Sequence, residues 1–178
     1  MAELREAAQK NEIKKVLEIL DGYHEKKSFL TYRLIADIIP ELSNSNITNV
    51  RKWASDKGIY LEGGEIFSAL LKKASTTNDK QLLKSTITEI FSYIQRSERS
   101  HEMPDIIRSL DKIDFANKKS VIRKIYLAAI HKLAGSNYYL PQLFSYTSDE
   151  IDKYFPDLKS FSYPVWKKIV EKSMRLSL

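Results

Sequence analysis

Cysteine is absent from all 178 residues, which excludes disulfides and thiolate metal sites outright and accords with a reducing compartment. Glycine and proline are scarce, five of each, too few for the tight turns that a hairpin-rich fold consumes. The expected fold class is therefore mainly α. No apolar run approaches the roughly 18 residues of a membrane-spanning helix, so no membrane insertion is expected. The opening MAELREAAQKNEIKK is polar and mixed in charge, unlike a secretory signal. The expected location is the cytoplasm; export without a cleaved signal would leave the same pattern.

The residues of common catalytic sites are also thinly supplied. Only three histidines occur, His24, His101 and His131, and none has a second ligand at metal-binding spacing. His101-Glu102 opens like a helical zinc-protease motif, but Asp105 stands where the second histidine is required. No Gly-x-Ser-x-Gly elbow or phosphate-cradling glycine loop is present, and Gly63-Gly64 is a lone pair. Asp149, Glu150 and Asp152 suit an acidic first turn of a helix. No cofactor is expected, and the chain is expected to be non-enzymatic.

What the sequence does contain is positive charge, unevenly placed. The net charge is +6. Residues 1–63 carry 10 basic and 10 acidic side chains, whereas residues 64–178 carry 19 and 13. Lys118, Lys119, Arg123, Lys124 and Lys132 lie in a stretch without any acidic residue between Phe115 and Ser148. Lys167 and Lys168, with Lys172 and Arg175, form a second basic cluster. Clusters of this kind attract phosphates, and they also serve simply as solvated helix faces.

Apolar periodicity places the elements. Asn11 is expected to cap a helix to about Lys26, striped by Ile13, Val16, Leu17, Leu20 and Tyr23. A helix from Tyr32 to Ile39 is closed by Pro40, and a second, capped by Ser45 or Asn46, runs to about Lys57. Gly58 suits the left-handed position beyond it, with Ile59–Leu61 as a brief strand. Helices are expected near 65–75, 79–97, 104–112, 114–134 and 164–174. The second is striped by Leu82, Leu83, Ile87, Ile90, Phe91 and Ile94, and the fourth, capped by Asp114, by Val121, Ile122, Ile125, Tyr126, Ala129, Ile130 and Leu133. The last bears Val165, Trp166, Ile169 and Val170. Nine of the 19 aromatics lie between Tyr138 and Trp166, which adds packing mass there. Gly63-Gly64 marks the expected boundary between a small domain, 1–63, and a basic helical-bundle domain, 64–178.

The order Leu30-Thr31-Tyr32, Ile38-Ile39-Pro40, Ile47, Val50 and Asp56-Lys57-Gly58-Ile59 resembles region 1.1 of primary bacterial sigma factors over residues 11–62. The resemblance implies a compact helix-turn-helix-like domain and a role in transcription. That family's domain is strongly acidic and mimics DNA in the polymerase channel, whereas this stretch is neutral. In a helix-turn-helix the second helix would present Asn46, Asn49, Arg51 and Lys52 outward, toward base edges.

Three expectations follow. The first is a non-enzymatic protein-interaction module, a transcription-related regulator with a protein partner. The second is a direct nucleic-acid binder using Lys118, Lys119, Arg123, Lys124, Lys132, Lys167 and Lys168, with Asn49, Arg51 and Lys52. The third is a secreted bacterial effector or an enzyme whose site is assembled from distant residues.

Overall fold

The computed structural model describes residues 1–26, 30–97, 102–133 and 139–156. The chain is mainly α, with no strand among the described residues. It divides into two compact units, Met1–Leu83 and Lys84–Leu178. The first carries 13 basic and 12 acidic residues and the second 16 and 11. The positive excess therefore belongs almost wholly to the second unit.

The first unit is built from α1 (Ala2–Gln9), α2 (Ile13–Glu25), α3 (Thr31–Ile38), a 3-10 turn (Ile39–Glu41), α4 (Asn44–Asp56) and α5 (Gly64–Thr76). Its core gathers Leu4, Val16, Leu20, Ile35, Ile38, Val50, Trp53, Ile66, Phe67 and Leu70, all buried. The expected boundary lay at Gly63-Gly64, whereas the compact units divide after Leu83, inside α6 (Lys80–Arg96). The cause is α5, which packs on α3 and on the 3-10 turn. Lys73 of α5, itself buried, reaches the Pro40 carbonyl at 3.3 Å.

Helix ends explain how so few glycines suffice. Asn11, expected as a cap of α2, instead closes α1 at φ 57°. Glu12 N–H returns to the Ala7 carbonyl at 2.9 Å and Asn11 N–H to Ala8 at 3.0 Å, the two bonds of a Schellman closure. Asn78, at φ 51°, closes α5 in the same way through Asp79 N–H to Ala74 and its own N–H to Ser75. Asparagine tolerates the left-handed region that other side chains avoid. Gly58, at φ 71°, closes α4 as expected, with Ile59 N–H on the Ala54 carbonyl at 2.8 Å.

The expected strand at Ile59–Leu61 is not formed. Its first amide is committed to closing α4, no partner strand occurs among the described residues, and Tyr60 is 86% exposed. The link into α5 ends at Gly63, whose φ of 118° and ψ of 179° belong to glycine alone. Tyr32 Oη donates to the Glu62 carbonyl at 2.8 Å and holds that link to α3.

The second unit contains the rest of α6, α7 (Met103–Lys112), α8 (Lys118–Leu133), α9 (Tyr139–Tyr146) and α10 (Ser148–Tyr154). Pro104 stands in the first turn of α7, and Asp149 and Glu150 in the first turn of α10, where each was expected. Helices α7, α8, α9 and α10 pack on one another. Ile106, Ile107, Leu110, Ile122, Ile125, Tyr126, Ala129, Ile130 and Leu143 are buried there. Asp114 does not cap α8. The chain turns at Asn117, φ 61°, whose carbonyl accepts the Val121 N–H at 3.0 Å. The helix expected over 164–174 lies outside the described residues, as does His101.

Candidate functional site

Helix α4 supplies the first candidate surface. Ser43 caps it, its Oγ accepting from Asn46 N–H at 3.3 Å. The inner face carries Ile47, Val50, Trp53 and Ala54, and this leaves Asn49 and Lys52 exposed and Arg51 half-buried. Asn46, expected to point outward, is buried. Its side-chain amide donates to Asn11 Oδ1 at 3.2 Å, and the same oxygen accepts Ser43 N–H at 3.2 Å. The first residue of the expected reading face is thus part of the scaffold. Lys57 Nζ pairs with Asp21 at 2.7 Å.

Helix α8 supplies the second surface. Ile122, Ile125, Tyr126, Ala129, Ile130 and Leu133 form its buried side. At about 100° per residue the outward side resolves into two ridges at four-residue spacing. One is Lys119, Arg123, Leu127 and His131; the other is Ser120, Lys124, Ala128 and Lys132. Lys119, Lys124, His131 and Lys132 are exposed, and Leu127 is 47% exposed between them.

The cations differ in what holds them. Lys118 lies at the edge of the buried side, donating to the Asp111 carbonyl at 2.5 Å and lying 3.9 Å from its carboxylate. Arg123 is half-buried with its guanidinium 5.1 Å from the centre of the Phe155 ring. Among the described residues no carboxylate pairs with Lys119, Arg123, Lys124 or Lys132. Arg123 and Lys124 thus lie one helical turn before Leu127, Lys119 and Lys132 stand further along the helix toward the two edges of the exposed side, and Lys118 is set apart. Lys167 and Lys168 lie outside the described residues.

Asp111 is the anchor that ties α10 to α7 and α8. Its carboxylate accepts Lys153 Nζ at 2.6 Å and the Tyr154 hydroxyl, with Lys118 near. Beside it Arg108 donates to the Tyr146 carbonyl and lies 3.6 Å from Glu150. Burial alone would raise the Asp111 carboxyl. The hydrogen bonds of Lys153 and Tyr154 and the charges of Lys153 and Lys118 together outweigh burial and hold it below its ordinary value. A depressed folded value means stability that is fully present above the unfolded carboxylate value of about 4 and is lost as pH falls through the folded one. Asp111→Asn is expected to lower stability at neutral pH by about 1–2 kcal/mol. That deficit should shrink toward zero in urea titrations carried out at successively lower pH below 4, whereas a pH-independent deficit would disprove the charge assignment.

No group of three or more metal-ligating side chains occurs among the described residues. No helix among them is long and apolar enough to cross a membrane. No family model, curated protein or solved structure matches the chain.

Proposed function

We propose that the chain is a non-enzymatic protein-interaction module bearing on transcription, with a region-1.1-like first unit and a basic second unit. The observation that carries the interaction reading is the set of large apolar side chains left on the surface. Tyr60 is 86%, Tyr146 53% and Leu127 47% exposed, and Leu127 stands on the basic helix α8. Protein interfaces favour tyrosine anchors, whereas a track for phosphates needs aligned cations and gains nothing from a leucine among them. The transcription reading rests on the resemblance of residues 11–62.

The test is affinity capture with the full chain from an extract of its native host, read by quantitative mass spectrometry, alongside Tyr60→Ala and Leu127→Asp. The expected result is a protein of the transcription apparatus enriched by the wild type and depleted by at least one variant. No enriched protein, together with salt-dependent binding of a labelled DNA duplex lost on reversing Lys119, Lys124 and Lys132, would overturn the reading in favour of nucleic acid.

A further inference from the structure

We infer that the outward ridge of α8 docks an acidic amphipathic helix of a partner protein, with Leu127 as the apolar anchor and Arg123 as the carboxylate receptor. The inference rests on the interaction-module reading and names its surface and partner.

The first argument is charge complementarity. Lys119, Arg123, Lys124 and Lys132 lie on the exposed side of α8 with Leu127 (Arg123 and Lys124 within one turn of it) and have no carboxylate partner among the described residues. Neighbouring cations of the same unit, Lys118, Lys153 and Arg108, are all paired. Four unmatched cations thus share the exposed side of α8.

The second argument is the setting of Arg123. Phe155, 2% exposed, lies under its guanidinium. Stacking occupies the planar face of a guanidinium and leaves its N–H edges to grip a carboxylate with two parallel bonds. One helical turn further on stands Leu127, and the aliphatic stems of Arg123 and Lys124 widen its apolar footprint. An exposed leucine beside a held arginine suits a helix that alternates carboxylates with leucines. Ridges at four-residue spacing receive the grooves of such a helix.

The experiment uses the full chain and a fluorescein-labelled synthetic helix of glutamate, alanine and leucine, followed by fluorescence anisotropy at physiological salt. Comparison peptides replace leucine by alanine, or glutamate by lysine. The acidic leucine peptide is expected to bind and the lysine peptide not. Binding should weaken about tenfold with Leu127→Asp or with the leucine-free peptide. Arg123→Lys should also weaken it although the charge is kept. Equal binding of the leucine and leucine-free peptides, unchanged in Arg123→Lys, would reduce the face to general electrostatics and overturn the inference. A duplex oligonucleotide that binds as tightly, indifferent to Leu127→Asp, would overturn it in favour of phosphate. If a host protein is captured equally by wild type and Leu127→Asp, this surface assignment falls while the interaction reading stands.

Discussion

Tyr126→Ala is expected to destabilise the second unit by about 3–5 kcal/mol, the range for deleting a buried aromatic ring. Tyr126 is 1% exposed, with its ring 5.4 Å from that of Phe155 and 6.3 Å from that of Phe144. Its hydroxyl lies 2.6 Å from Thr147 Oγ1, and Thr147 donates its own proton to the Leu143 carbonyl at 2.6 Å. Thr147 therefore has no proton left to give, and Tyr126 must be the donor. Burial pushes the Tyr126 hydroxyl well above its ordinary value, so it keeps that proton. Tyr126→Phe, which removes only the hydroxyl, should cost about 1 kcal/mol. Urea unfolding followed by circular dichroism measures both losses. Hydrogen exchange should show the larger gain in α7–α10. A loss below 1 kcal/mol for the alanine variant would contradict this account of the core.

The second large effect belongs to the first unit. Trp53→Ala is expected to cost about 3–5 kcal/mol for the same reason. Trp53 is 8% exposed, donates its indole N–H to Asp21 Oδ1 at 3.0 Å and meets His24 edge-on with ring centroids 6.1 Å apart. The hydrogen bonds of Lys57 and Trp53 hold the Asp21 carboxyl below its ordinary value. Trp53→Phe keeps most of the apolar volume but removes the indole bond, and its deficit should fall between zero and that of alanine. Equal deficits for the two variants would show that the Asp21 bond, not ring packing, sustains the α2–α4 contact.

The parts of this architecture legible from sequence are those set by near neighbours. The inner stripe of α8 was marked by its apolar spacing, and all its expected members but the half-buried Val121 are buried. The Asp79 cap of α6, whose Oδ1 accepts Leu82 N–H at 2.8 Å, and the end of α4 at Gly58 follow from local backbone chemistry. Helix α1 was not placed, because its buried side rests only on Leu4 and two alanines. The stripe of α6 was placed less well. Ile90 and Ile94 are fully buried, but Thr86 and Tyr93 join them in place of Leu82, Leu83, Ile87 and Phe91, which are half-buried.

The candidate surface was legible as composition and not as geometry. Which cation is available depends on partners far along the chain, such as Phe155 under Arg123. Asn46 turns inward because Asn11, 35 positions earlier, offers it an acceptor. No spacing rule reports contacts of that range.

The use of Asn11, Asn78 and Asn117 at positive φ also has a consequence for the unfolded chain. Glycine at these bends would fit without strain, yet it would enlarge the number of conformations lost on folding. Asparagine accepts a modest local strain in exchange for a less disordered denatured state. Part of the stability of this helical protein thus lies in conformations its unfolded form never visits.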